Sequence, residues 1–254
     1  MTLLAVERIK LFSTRSPWWC LALALAVTVG FAALTSATEN DATWITVPST
    51  QFGYQFGLAV ILVLAALTVT TEYRFNTIKT TFQAVPNRTS ALLAKTVLVA
   101  LATGALGLIA AFGSLGVSKL IQPSADLALD SQADWRAVAG VGLVFAAAAI
   151  VAIAVGILLR HTAGAVSLLL VYALMVEQLV QLIPGVGDDI HKWLPFNVAY
   201  KFLSGDPDLG SRPVQAGPPP SDASLDPWWA MAYFAGFAIV MLTIAIVTAK
   251  RRDA

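Results

Sequence analysis

Cysteine and histidine are nearly missing from this chain, which holds one Cys (Cys20) and two His (His161 and His191) in 254 residues. A lone cysteine forms no intrachain disulfide and builds no Cys-rich metal site. Cys20 lies in an apolar run and is expected to pack there. Two histidines offer little for a transition-metal centre, so no metal site is expected. Charge is scarce as well: 12% of residues are charged, against about 25% in a soluble globular protein. With 57% hydrophobic residues and a mean hydropathy of +0.75, lipid is the main solvent. No G-x-x-x-x-G-K-[ST] phosphate loop occurs, and the polar segments are too short to form a nucleotide-binding domain. The chain alone is not expected to be an enzyme or to bind a cofactor. ATP and Mg²⁺, if used, belong to a separate polypeptide.

What the chain does have is long apolar runs. A hydrocarbon core of ~30 Å needs about 20 helical residues. Six runs meet that length or approach it: 17–36, 54–71, 97–118, 137–159, 162–183 and 228–249. The fold expected is all-α, a single polytopic transmembrane domain over 1–254. Only Arg160 and His161 separate the fourth and fifth runs, so a tight turn joins them. A cleavable signal peptide with 21–34 as its core and a small-residue site near Ala37 is the competing reading of the first run. Its spanning length and long charged leader favour retention.

Placing the N-terminus in the cytoplasm puts eleven Lys and Arg inside and five outside. The acidic residues reverse the bias, with three inside, eleven outside and Glu177 alone within a span. Both termini are therefore expected to be cytoplasmic in a multi-pass protein of the cell membrane. Tryptophans agree: Trp18, Trp19, Trp135, Trp228 and Trp229 stand at the starts of runs, and none of the seven sits mid-span.

The polar segment 72–95 carries the main functional signal. On a helix, Phe75, Ile78, Phe82 and Val85 form one narrow stripe, flanked by Arg74 and Lys79. Asn76, Thr77, Thr80 and Gln83 take the other side. Such a helix over 72–86 lies in the membrane surface and leaves a polar side for a cytoplasmic motor. Pro86 ends it, and Asn87, Thr89 or Ser90 caps the helix that follows. Residues 1–16 form a second surface-helix candidate, with Ala5, Val6, Ile9 and Phe12 as its stripe beside Arg8 and Lys10.

Beyond the fifth run, 184–227 is the largest outer segment. Its first half reads as an interfacial helix broken at Pro195, and its Pro-, Gly- and Asp-rich second half as an exposed loop. Glu177, with Gln178 beside it and Gln181 one turn on, marks either a substrate pathway or an interhelical hydrogen bond. Gly185-Val186-Gly187-Asp188 matches the G-x-G-D of intramembrane aspartyl proteases, but no second Asp lies in any run to share the site. A turn closing the span explains it better. Gly104, Gly107, Gly113 and Gly116, with Gly140, Gly142 and Gly156, offer small faces for close helix packing.

These residues together resemble the permease subunits of type-2 ATP-binding-cassette exporters, particularly a compact six-span subset common in actinobacteria. The resemblance rests first on Glu7-Arg8-Ile9-Lys10-Leu11 with Thr14-Arg15-Ser16-Pro17-Trp18-Trp19. It continues in Glu72-Tyr73-Arg74-Phe75-Asn76-Thr77-Ile78-Lys79-Thr80-Thr81, in Pro86-Asn87-Arg88 before Leu93-Ala94-Lys95, and in Leu194-Pro195-Phe196-Asn197. Asn76 stands where glycine is frequent, and the outer loop departs in length. The resemblance implies a half-transporter: two such permeases, identical or related, paired with two ATPase subunits. Residues 1–16 become a connecting helix using Glu7, Arg8 and Lys10. Residues 72–86 become a coupling helix using Glu72, Tyr73, Arg74, Phe75, Thr77, Ile78, Lys79 and Phe82, and residues 184–203 an outer re-entrant or surface element. An amphiphilic substrate of the drug, peptide or lipid class would move outward, with Glu177, Gln178 and Gln181 on its path. A secondary transporter or a non-transporting scaffold or sensor is the alternative, and no nucleic-acid partner is expected.

Overall fold

The computed structural model describes residues 3–39, 41–84, 87–205 and 221–252, with the backbone alone for a few helical residues including Lys79 and Phe82. Six helices are long and apolar enough to cross a membrane. They are α2 (Arg15–Thr38), α3 (Tyr54–Arg74), α5 (Arg88–Ile121), α6 (Gln132–Leu159), the run Thr162–Val180 and α11 (Pro227–Arg252). The fifth run is α7 (Thr162–Val171), a π-helical turn at Tyr172–Val176 and α8 (Glu177–Val180). The described residues also hold four shorter α-helices, α1 (Leu3–Ser13), α4 (Thr77–Ala84), α9 (Gly187–His191) and α10 (Pro195–Ser204), and two single turns of 3-10 helix at Ala42–Trp44 and Ser49–Gln51.

Helix ends follow polar caps more closely than they follow the apolar runs. Asn87 accepts from Thr89 N at 3.1 Å, so α5 starts there, well before the run expected at 97. Its 34 residues reach about 51 Å at 1.5 Å per residue, longer than the hydrocarbon core. Ser131 and Asp134 form a reciprocal capping box that opens α6. Arg160 ends α6 in the left-handed conformation, φ 54°, and His161 Nδ1 accepts from Gly164 N at 3.1 Å to open α7. The two-residue turn expected between these helices is present.

The helix expected over 72–86 is instead divided. α3 continues to Arg74, and Asn76 adopts φ 57°, a left-handed geometry that stops a helix and that Asn tolerates better than most residues. α4 then starts afresh at Thr77. The single stripe is lost with the break: Phe75 is 66% exposed, whereas Ile78 is buried. Val85 and Pro86, the expected stop, lie outside the described residues.

α6 is the centre of the bundle. It packs on α3, α5, α7, α10 and α11, and most of its spanning window is buried. Small residues make this possible. At Gly142 an added Cβ would meet Gly104 O at 2.8 Å, and at Gly107 it would meet the Gly142 Cα at 2.9 Å. The glycine faces expected to pack therefore do so at these positions, while Gly116 has nothing within 4 Å and takes no part. α2, α7 and α11 leave most of their surface uncovered by this chain.

Two ends of the bundle matter for function. The near end carries α1, α4 and the Arg160 turn. At the far end, Ser36 Oγ donates to Ser118 Oγ at 2.8 Å, and Gln122 Nε2 donates to Glu39 O at 3.1 Å. α10 also belongs to the far end. It breaks from α9 at Pro195 as expected, but it is not a surface helix: Phe196, Val198, Phe202 and Leu203 are buried against α6 and α11. An amphipathic helix with no lipid-facing side has been drawn into the bundle. Gly205, at φ 68°, ends it.

Candidate functional site

At the near end four charged side chains meet in a compact knot. Lys95, on α5, donates to Glu7 Oε2 at 2.6 Å and to Glu72 Oε1 at 3.0 Å. Lys10, one turn along α1, donates to Glu7 Oε1 at 2.9 Å and lies 3.3 Å from Glu72 Oε1. It also donates to Thr81 Oγ1, on α4, at 3.0 Å. Two carboxylates and two ammonium groups balance, which is what a site this dry requires. Only 5% of the Glu7 side chain and 7% of the Lys95 side chain are exposed.

Glu7 and Lys10 are held ionised by their partners. Burial pushes the Glu7 carboxyl up, but Lys95 and then Lys10 outweigh it and keep the group below its ordinary 4.5. Burial likewise pulls the Lys10 ammonium down, and its bonds and attraction to Glu7 and Glu72 hold it above 10.5. The knot therefore fastens α1, the end of α3, α4 and α5 into one charged joint. A cavity of ≈ 630 Å³ opens beside it, lined by the four charged residues and by Thr68, Thr71 and Leu98 among others.

The residues expected to couple are split by this geometry. Glu7, Lys10 and Glu72 turn inward to the knot, and Ile78 is buried. Arg8, Arg74, Phe75 and Thr77 face outward, with the Arg74 guanidinium 5.4 Å from the Phe75 ring centroid. The Tyr73 ring lies under Arg160 at 4.9 Å, tying α3 to the α6–α7 turn. The side chains of Lys79 and Phe82 lie outside the described residues. On α1 the apolar stripe is the outer face, with Val6 and Ile9 exposed, and the inward face is Glu7 and Leu11. Electrostatic pairing, not hydrophobicity, chose the face that docks.

Sequence reasoning passed over Lys95 and Thr81 as parts of this site. The signal for Lys95 was its register: Leu92, Thr96, Val99 and Thr103 recur at helical spacing around it and are all buried. A lysine in such a stripe needs an acidic partner from elsewhere.

At the far end the buried carboxylate has a defined task. Glu177 is 2% exposed and accepts from Phe196 N at 3.1 Å and Asn197 N at 2.8 Å. Those amides belong to the first turn of α10, where Pro195 contributes no N–H and Leu194 offers no side-chain cap. Glu177 thus caps α10 from another helix, its two oxygens accepting from N–H groups at the positive end of the helix dipole. The π-helical turn just before it adds a residue to the winding and redirects the side chains that follow.

A polar network continues from that cap. Asn197 Nδ2 donates to His191 O at 2.8 Å and to Asp222 Oδ1 at 2.7 Å, while Ser221 Oγ donates to Asn197 Oδ1 at 2.8 Å. His191 Nδ1 lies 2.8 Å from the same Asp222 oxygen and 3.0 Å from the Gln181 amide. Since a carboxylate only accepts, Nδ1 carries the hydrogen, and the Gln181 amide is satisfied when its oxygen faces the ring. Gln178 is exposed and lines, with Glu177 and Gln181, a cavity of ≈ 580 Å³. Asp188 is exposed in the first turn of α9, as a turn residue would be. Part of the expected exposed loop, 206–220, lies outside the described residues; beyond it, Ser221 and Ala223 are buried. Among the described residues no cluster of three or more metal-ligating side chains occurs.

A family model described as an ABC-2 family transporter protein matches residues 3–176. The matched stretch contains all four charges of the knot and stops one residue before Glu177. No curated protein and no solved structure matches the chain.

Proposed function

Since this chain belongs to the ABC-2 transporter family and is a permease of an ATP-binding-cassette transporter, we propose that it works as an exporter driven at its near end. In this reading the near end is cytoplasmic in the cell membrane, and the chain pairs with a second permease and with two ATPase subunits. ATP and Mg²⁺ are held by the ATPases, and this chain performs no catalysis. The cargo is amphiphilic and leaves at the far end.

The observation that carries the proposal is the knot. α1 and α4 are short helices with outward-facing Arg8, Phe75 and Thr77 nearby; Lys10 joins both to α3 through Glu72 and Thr81, and Lys95 of α5 closes the knot on Glu7 and Glu72. A push on α4 reaches two spanning helices through bonds of fixed geometry. A surface helix held by apolar contact alone would slide under the same load. Thermodynamically, the ATPase drives transport by binding two permease states with different affinity, and these helices are where that difference is read. The concentration of Arg8, Arg15, Arg74, Arg88 and Arg160 at this end supports the cytoplasmic assignment.

The test is charge reversal of Arg74 and Lys79 in the permease reconstituted with its ATPase. ATP hydrolysis is expected to persist while stimulation by the permease and cargo efflux both fall about tenfold or more, with thermal stability unchanged. Normal efflux and normal stimulation from the double variant would defeat the coupling assignment.

A further inference from the structure

The far-end cavity is chemically one-sided. It is bounded by α3, by the π-helical turn, by α8 and α10, and by residues 221 and 222. Its lining includes two acidic residues, Glu177 and Asp222, one histidine, His191, and, among the described residues, no Lys or Arg. Leu58, Leu62 and Leu174 supply an apolar wall, and Tyr54 and Tyr200 stack at 6.0 Å between centroids along another. Phe196 adds a third ring. The volume of ≈ 580 Å³ falls within the range of about 300–1,000 Å³ usual for small-molecule sites.

Each feature selects for charge of one sign. The Glu177 carboxyl group is committed to the amides of α10, which leaves Asp222 as the acidic group that can face a ligand. Asp222 keeps about a third of its side chain exposed at the rim. Aromatic faces attract cations through their quadrupole and are indifferent or repulsive to anions. An anion here would meet the Asp222 carboxylate, and the one basic side chain among the described lining residues, His191, already pairs with that carboxylate. We infer that this cavity binds a lipophilic organic monocation, its charge near Asp222 and the tyrosine rings and its apolar body along Leu58, Leu62 and Leu174. The inference deepens the exporter reading by naming the class of cargo. It rests on that reading only for the claim that the bound molecule is transported.

Two ions of the same shape and opposite charge make the test direct. The permease, held in lipid nanodiscs without ATPase or nucleotide, is equilibrated with tetraphenylphosphonium or tetraphenylborate, and uptake by empty nanodiscs is subtracted. Saturable binding is expected for the phosphonium and not for the borate. Asp222→Asn, which keeps the acceptor for His191 and Asn197, is expected to weaken phosphonium binding about tenfold. Leu58→Trp, on the opposite wall, is expected to abolish it by filling the space. Equal binding of the two ions, or phosphonium binding unchanged in both variants, overturns the inference. Because no ATPase is present, that failure leaves the coupling proposal standing. Conversely, a failed charge-reversal test at the near end leaves this binding measurement intact.

Discussion

At the scale of single residues, the buried charges make the sharpest claims. Removing one member of a buried ion pair strands the other, at a cost of about 3–5 kcal/mol. Lys95→Met is therefore expected to lower thermal stability by up to about that amount, because Glu7 and Glu72 are left to share Lys10 alone. Adding Glu7→Gln to Lys95→Met should recover part of the loss, which a double-mutant cycle on melting temperature measures. The sign with pH follows from the directions given above. Glu7 is held below 4.5, so its contribution is complete above that value and disappears as pH falls through the lowered one. Lys10 is held above 10.5, so its contribution is lost only when pH rises past that point. The destabilisation caused by Lys95→Met should thus be constant across neutral pH and shrink on acidification below about 4.5. Glu177 makes a different claim, since its partners are backbone amides. Glu177→Leu leaves two N–H groups of α10 unanswered, at roughly 1–3 kcal/mol each, whereas Glu177→Gln keeps one acceptor. Chemical unfolding of the two variants should separate them clearly, and matching midpoints would remove the capping role.

At the scale of elements, the break at Asn76 governs how the near end works. A left-handed φ costs an ordinary L-residue roughly 1–2 kcal/mol, and glycine nothing. Asn76→Gly is expected to keep both stability and coupling. Asn76→Val should cost about 1–2 kcal/mol and reduce efflux, by favouring a continuous helix that carries Thr81 away from Lys10. A transport assay beside a melting curve decides it. This element also marks how far the sequence could be read. The spanning helices were legible because lipid demands long apolar runs, and the tight turn at Arg160 because only two polar residues interrupt them. The division of 72–86 was not, since its amphipathic pattern is complete on paper and one backbone angle at Asn76 undoes it. The partner of Glu177 was hidden for another reason. Its donors are the main-chain amides of Phe196 and Asn197, and no side-chain pattern advertises those. Lys95 carried a readable sign, a base in a buried stripe, yet its acids lie 88 and 23 residues away.

For the whole molecule, the architecture separates tasks by end. α6, rich in Gly and Ala, is the axis on which the others pack, and the charged knot and the capped α10 sit at opposite ends of the bundle around it. α2, α7 and α11 keep broad apolar surfaces uncovered by this chain, which suits a subunit that meets lipid. The family match runs from α1 to the π-helical turn and so takes in the knot and the far-end bonds of Ser36 and Gln122, while Glu177, α10 and α11 lie beyond it.

The span of chain between Glu7 and Lys95 has a consequence for how the protein is made. Glu7 leaves the ribosome 88 residues ahead of its base, which at ~5–20 residues per second is roughly 4–18 seconds. Through that interval Glu7 has only Lys10 of its own helix for a partner, and the helix docks when the third membrane segment arrives. Nascent chains arrested before Lys95 should therefore expose Lys10 to trypsin, and chains arrested well beyond it should protect it. Insertion order thus becomes a checkpoint, with the near end closing only after half the membrane segments are in place.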